Sequence, residues 1–272
     1  MSEGEGEGVR SRLTANDLAV IRQQLAASES RTDACDLPDA GPVVVKRRRP
    51  ARSRWRARGM AALSRATGLA LLRPVAAPGG ARGEAIELGR LDALARAGVR
   101  VPEVLHAEPG FFVMRRFEGR DLAERIAERG DAGFAAWRAG LDAIADVHAR
   151  GACLSQAFAR NLLATPDGIA FIDFEDDPLA TLPLDVAQAR DWLAYLHSTA
   201  WLLDGDGEGA RAALDAALSA VTEGRSAAAT RAARRHVLEA GRRLAPFRRL
   251  PASRRPLGRE ALGLRALARL LA

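Results

Sequence analysis

Apolar residues at Leu18, Ile21 and Leu25 recur at helical spacing across 14–27, with Thr14 or Asn16 placed to cap the helix. Residues 29–41 are polar and read as turn-rich. Residues 42–47, Pro-Val-Val-Val-Lys-Arg, are β-branched and predict a strand. Residues 48–58 are intensely basic, 60–72 are apolar with helical character, and 76–83 form a loop. Ile86, Leu88, Leu91 and Leu94 predict a helix over 84–97 that Gly98 ends. Segments 103–106 and 111–115 flank Pro109-Gly110 and predict a hairpin. Helices follow over 121–129 and 134–150, the second stopped by Gly151. A second hairpin joins 162–164 to 169–173 through Pro166-Asp167-Gly168. From Leu184 onward the pattern is helical, with breaks near 205–209, 223–226 and 250–256.

Short strands thus dominate the first part and helices the last. This predicts an α+β protein: a small β-rich lobe over 14–116 and a larger helical lobe over 117–272, joined by a strand near 111–116. The acidic, Gly-rich opening of 1–13 reads as a disordered leader. A chain of 272 residues is long enough for two lobes.

The net charge of +7 is unevenly spread: residues 1–45 carry −4, 46–74 carry +10, 75–224 carry −10 and 225–272 carry +11. The block 46–58 holds eight basic residues and Trp55. It suits peripheral contact with an anionic membrane or a phosphorylated glycolipid, with nucleic acid the weaker competitor. Cys35 and Cys153 have no metal-ligand spacing around them, which predicts reduced thiols and a cytoplasmic setting, and with the basic block any membrane contact is peripheral. No apolar run reaches the roughly 20 residues of a membrane span, and residues 1–8 lack a signal-peptide core.

The candidate chemistry lies in Cys153-Leu-Ser-Gln-Ala-Phe-Ala-Arg-Asn161 and Ile172-Asp-Phe-Glu175. An Asn closes a polar loop, an apolar hairpin follows, and an Asp ends it. Upstream, Lys46 closes the valine strand and is the only lysine among forty arginines, which favours a need for a compact point charge. Glu87 lies eleven residues before Gly98-Val-Arg-Val-Pro102, and 112–122 runs Phe-Val-Met-Arg-Arg-Phe-Glu-Gly-Arg-Asp-Leu. In this order the pieces resemble the protein-kinase-like superfamily, and more narrowly the bacterial lipopolysaccharide (Kdo/heptose) kinases, over roughly residues 42–200.

The resemblance implies a bilobal kinase-like fold and an ATP-dependent phosphotransferase acting on a sugar or glycolipid hydroxyl at the cytosolic membrane face. It implies that Lys46 holds the α/β-phosphates, that Glu87 orients it (Glu84 being the rival), and that Asn161 and Asp173 bind Mg²⁺. It also implies that His148 packs behind the catalytic loop and that Asp191 braces that loop through backbone amides. Arg160 adjoins the Asn and is placed to touch a phosphate, an acidic substrate group or the acidic loop. Glu175, Asp176 and Asp177 read as a solvated acidic loop, with a second metal ligand among them as the alternative.

Three positions depart from the family pattern. Only Asp39-Ala-Gly41 precedes Lys46 where a Gly-rich loop belongs; Glu175 replaces the glycine after Asp-Phe; and Gln156 stands where the catalytic Asp belongs. A glutamine orients a hydroxyl but does not take its proton, and general-base help is worth about 10²–10⁴-fold. Two alternatives therefore stand beside the transferase: a pseudokinase that binds ATP without transfer, and a basic nucleic-acid-binding protein.

Overall fold

The computed structural model describes residues 11–50, 75, 78–155, 157–203, 207–220, 226–249 and 258–272. It is an α+β protein. Helix α1 (Ala15–Ala27) precedes a sheet of β1 (Thr32–Leu37), β2 (Gly41–Arg47), β3 (Val104–Glu108) and β4 (Phe111–Arg115). These strands pair antiparallel in the order β1-β2-β4-β3, with α2 (Gly80–Arg96) inserted between β2 and β3. A short three-stranded sheet follows: β5 (Arg120–Asp121), β6 (Leu162–Thr165) and β7 (Gly168–Phe171). The helices α3 (Leu122–Ala127) and α4 (Gly130–Ala149) lie between β5 and β6. After β7 come α5 (Leu184–Thr199), α6 (Gly207–Ser219), α7 (Ala227–Leu244) and α8 (Gly258–Leu270). Among the described residues no helix is long and apolar enough to cross a membrane.

The two-residue period of β2 sorts its side chains. Val43 and Val45 join Ile21, Leu37, Leu105 and Val113 in a small core under α1. Val44 faces the other way, into the main core with Phe112, Met114, Leu91 and Leu94. Lys46 shares that second face by alternation, so the lysine points toward α2. On α2 the buried stripe is Glu87, Arg90, Leu91 and Leu94. Its apolar end seals against the sheet and its charged end lies toward Lys46.

Two helices stop by the same device. Gly98 has φ 75°, and the Val99 amide donates to the Leu94 carbonyl. Gly151 has φ 73°, and the Ala152 amide donates to the Val147 carbonyl. Both are Schellman ends, for which glycine avoids the Cβ penalty. The helical core centres on Trp137, Trp192 and Tyr195, with the Tyr195 hydroxyl donating to the Trp137 carbonyl at 2.8 Å.

Several sequence expectations need correction. Residues 29–41 are not all turn, because Thr32–Leu37 forms β1 and pairs with β2 along its length. Its polar alternation hides it; it is an edge strand held by its neighbour. Helix α2 begins at Gly80, inside the expected loop. Gly207 and Gly209 lie in α6 rather than in a break. The expected helix over 60–72 and the disordered leader's first ten residues lie outside the described residues, as do basic positions 51–58.

Candidate functional site

Strand β2, helix α2 and the segment after β7 converge on one ammonium group. Lys46 Nζ is bonded to Glu87 Oε1 and lies 2.9 Å from Asp173 Oδ1. Lys46 and Glu87 are almost fully buried, while the Asp173 side chain remains about a third exposed. Glu84 does not compete: it takes Arg48, with Oε1 2.8 Å from Nη2 and Oε2 3.2 Å from Nε. Burial pushes the Glu87 carboxyl above its usual range despite the lysine. Burial also acts to raise Asp173, but Lys46, Arg31 and Arg49 outweigh it and hold that carboxyl below its usual range.

Asp173 sits just beyond β7 with φ 70°. A non-glycine residue in that region costs on the order of 1 kcal/mol and persists only where the surroundings over-determine it. Here the Lys46 pair and the β6–β7 ladder do so. The ladder runs one pair past the strand ends, the Ile172 amide donating to the Asn161 carbonyl at 2.9 Å. Asn161, just before β6, therefore stands beside the residue preceding Asp173 and is buried.

The loop after α4 hangs from buried polar groups. Asp191 of α5 accepts the Leu154 and Ser155 amides, each at 2.7 Å, and its Oδ2 lies 3.0 Å from His148 Nε2. All of these groups are buried, and the His148 ring stands edge-on to Trp192 at 5.3 Å. Gln188 Nε2 donates to the Ala152 carbonyl at 3.1 Å, and Arg90 Nη2 donates to the Cys153 carbonyl. Ser155 has φ 83°, and its hydroxyl binds Asp176 Oδ1. The next residue, Gln156, lies outside the described residues.

Not every expected residue joins this cluster. Arg160 is exposed and lies over the Phe158 ring at 4.6 Å. The turn before Gly41 belongs to the opposite end of β2 from Lys46, where Asp39 is tied to Thr14 and Asp17 of α1. The loop 175–177 is not simply solvated. Glu175 is buried between Arg31 (2.5 Å) and Arg49, Asp176 is buried against Ser155, and Asp177 caps the turn at Leu179. The reason is electrostatic: a carboxylate can leave water only where donors replace its hydration, and Arg31, Arg49 and Ser155 supply them.

Sequence reasoning passed over Arg31, Arg90 and Gln188, and took Arg49 only as one charge of the basic block 46–58. Arg90 left a signal, because it falls on the buried stripe of α2 three positions after Glu87. Arg31 and Gln188 left none. Among the described residues no three His, Cys, Asp or Glu side chains gather to hold a metal ion. No protein-family model matches the sequence, and no curated protein matches it.

Proposed function

We propose that this chain is a protein-kinase-like phosphotransferase that binds Mg-ATP at Lys46, Asn161 and Asp173. On this reading the sheet with α1 and α2 is the small lobe and the helices are the large one. The observation that carries the proposal is the Lys46–Glu87–Asp173 cluster, drawn from three separate elements beside a loop suspended from Asp191. Such a cluster costs desolvation and is weak evidence for stability alone. A binding task accounts better for it.

The residues fit the group. Mg²⁺ takes hard oxygen ligands and keeps several from phosphates and water, so one amide and one ionised carboxylate suffice from the protein. The depressed Asp173 carboxyl is ionised at neutral pH. Asn161 and Asp173 would hold the metal, and Lys46, steadied by Glu87, would hold the α/β-phosphates. When bound, Mg-ATP supplies the phosphoryl group. Transfer passes through a loose transition state in which positioning and electrostatics dominate. Asp191, Gln188 and Arg90 fix the loop that would position the acceptor hydroxyl. The acceptor class, a sugar or glycolipid hydroxyl at the cytosolic membrane face, rests on the family resemblance.

Thermal unfolding with and without ATP and Mg²⁺ tests the site. Binding at about 100 times Kd adds roughly 2.7 kcal/mol, an easily measured shift. A Mg-dependent shift that Asp173→Ala abolishes supports the reading, and no shift in the wild-type chain sinks it. The glutamine at 156 favours a second reading, a pseudokinase. A wild-type chain that binds Mg-ATP without transfer to any hydroxyl, and a Gln156→Asp chain that gains transfer, would select it.

A further inference from the structure

Arg31 and Arg49 make one device that the nucleotide reading does not use. Arg31 precedes β1 and Arg49 follows β2. The antiparallel register sets Thr32 opposite Lys46, so both arginines come to the Lys46 end of the sheet. There Glu175, two residues past Asp173, takes both guanidinium groups on its two oxygens. The glutamate side chain is 10% exposed, whereas the arginines remain 30% and 28% exposed. The clamp lines an open cleft that also reaches Glu84, Glu87 and the Gly79–Gly80 start of α2. That 17-residue helix has no side-chain cap at its N-terminus. The Nε–H of Arg31 is buried with no acceptor among the described residues.

We propose that Arg31 and Arg49 form a phosphate-binding subsite of the Lys46 cleft, and that Glu175 fills it as an internal carboxylate which an incoming phosphate displaces. Planar guanidinium forks match phosphate and carboxylate oxygens alike, so one group can replace the other on the same donors. A phosphate brings a third oxygen and more charge than the carboxylate. It can use the Arg31 Nε–H and the field of the uncapped helix start as well. Among the described residues the cations lining the cleft, Arg31, Arg47, Arg48 and Arg49, outnumber the carboxylates Glu84, Glu87 and Glu175, and Lys46 stands beside Glu87, so a further anion is welcome. The proposal deepens the nucleotide reading of the same cleft. The shared chemistry is a phosphate group, carried by a nucleotide tail or by a phosphorylated acceptor.

The test is calorimetric titration of inorganic tripolyphosphate, without Mg²⁺, into the full chain and into Glu175→Gln, Arg31→Lys and Arg49→Lys. Glu175→Gln removes the competing charge and should tighten binding roughly tenfold. Each lysine variant keeps a charge but loses the fork, and should weaken binding roughly tenfold. Far-UV circular dichroism checks each fold. If Glu175→Gln does not fold, the lysine variants decide, because wild-type affinity in both overturns the proposal. So does a folded Glu175→Gln that binds no more tightly. Mg-ATP and a hexose phosphate, titrated in parallel, separate the sources. Competition with Mg-ATP assigns the subsite to the nucleotide, and hexose phosphate binding beside saturating Mg-ATP assigns it to the acceptor. If Mg-ATP does not bind while tripolyphosphate binds in an arginine-dependent manner, the nucleotide reading falls and the subsite stands. If Mg-ATP binds while neither tripolyphosphate nor hexose phosphate binding depends on Arg31 or Arg49, the reverse holds.

Discussion

Asp173 Oδ1 lies 2.9 Å from the ammonium of Lys46, although 127 positions separate the two residues. Strand β2 supplies the lysine, the end of β7 supplies the aspartate, and Glu87 of α2 completes the group. Removal of the single cation leaves two carboxylates facing each other, one of them buried. Lys46→Met should therefore lower unfolding free energy by about 3 kcal/mol. Glu87→Gln keeps a neutral acceptor for the lysine and should cost less. Urea denaturation of the two variants checks the order, and a Glu87→Gln chain less stable than Lys46→Met would contradict it.

The two carboxylates should answer acid in opposite ways. Asp173 is depressed in the folded chain, so its contribution is present above the ordinary value of 3.8 and is lost as pH falls through the folded value. Glu87 is raised, so its effect runs the other way: stability is fully present below 4.5 and declines as pH rises through the raised value. Chemical denaturation from pH 3 to 7 should show Asp173→Asn with a flattened acid limb. The stability of wild type relative to Glu87→Gln should fall as pH climbs above 4.5.

Asp191 is fully buried and holds two amides and an imidazole. Asp191→Asn would place an NH₂ group against N–H donors on one side. The expected loss is about 2–4 kcal/mol, read as a lower denaturant midpoint at unchanged slope. A variant within about 0.5 kcal/mol of wild type would mean that the loop does not hang from this residue.

Two glycines in helices should respond oppositely to alanine. A Cβ at Gly140 of α4 would meet the Tyr195 hydroxyl at 2.1 Å and Leu122 Cδ2 at 2.9 Å. Tyr195 is fixed by its bond to the Trp137 carbonyl, so Gly140→Ala should destabilise by about 1–3 kcal/mol. Gly89 of α2 has nothing within 4 Å, and Gly89→Ala should stabilise by about 0.5–1 kcal/mol. Melting temperatures of the two variants on either side of wild type would bear this out.

Burial pushes the Cys153 thiol up to about 12, with Asp191 adding to the effect. Cys35 is only partly buried. An aromatic disulfide reagent at pH 7.5 should label Cys35 first and reach Cys153 only on unfolding. Rapid modification of two thiols in the native chain would contradict the buried position of the Cys153 loop.

Local pattern carried much of this fold. The spacing of Leu18, Ile21 and Leu25, the valine run before Lys46 and the turns at Pro109-Gly110 and Asp167-Gly168 each specify an element whose backbone demands are met within a few residues. Strand β1 was not legible, because Thr-Asp-Ala-Cys-Asp-Leu has no strand signature of its own and gains order only from pairing with β2. The start of α2 was hidden by glycines that favour a loop in isolation.

The sequence by itself determined an α+β chain and a lone lysine near the end of a strand, and through a family resemblance it singled out Glu87, Gln156, Arg160, Asn161 and Asp173 as candidates for chemistry, with Asp191 as a brace. Only the tertiary structure decided which carboxylates meet which cations. Glu87 rather than Glu84 takes Lys46, and Glu175, which reads locally as one charge in a solvated run, is drawn between Arg31 and Arg49. The physical reason is range. Helix and strand preferences are set by neighbours a few residues apart, whereas these buried carboxylates meet cations 41 positions away, for Glu87 and Lys46, and 126 away, for Glu175 and Arg49.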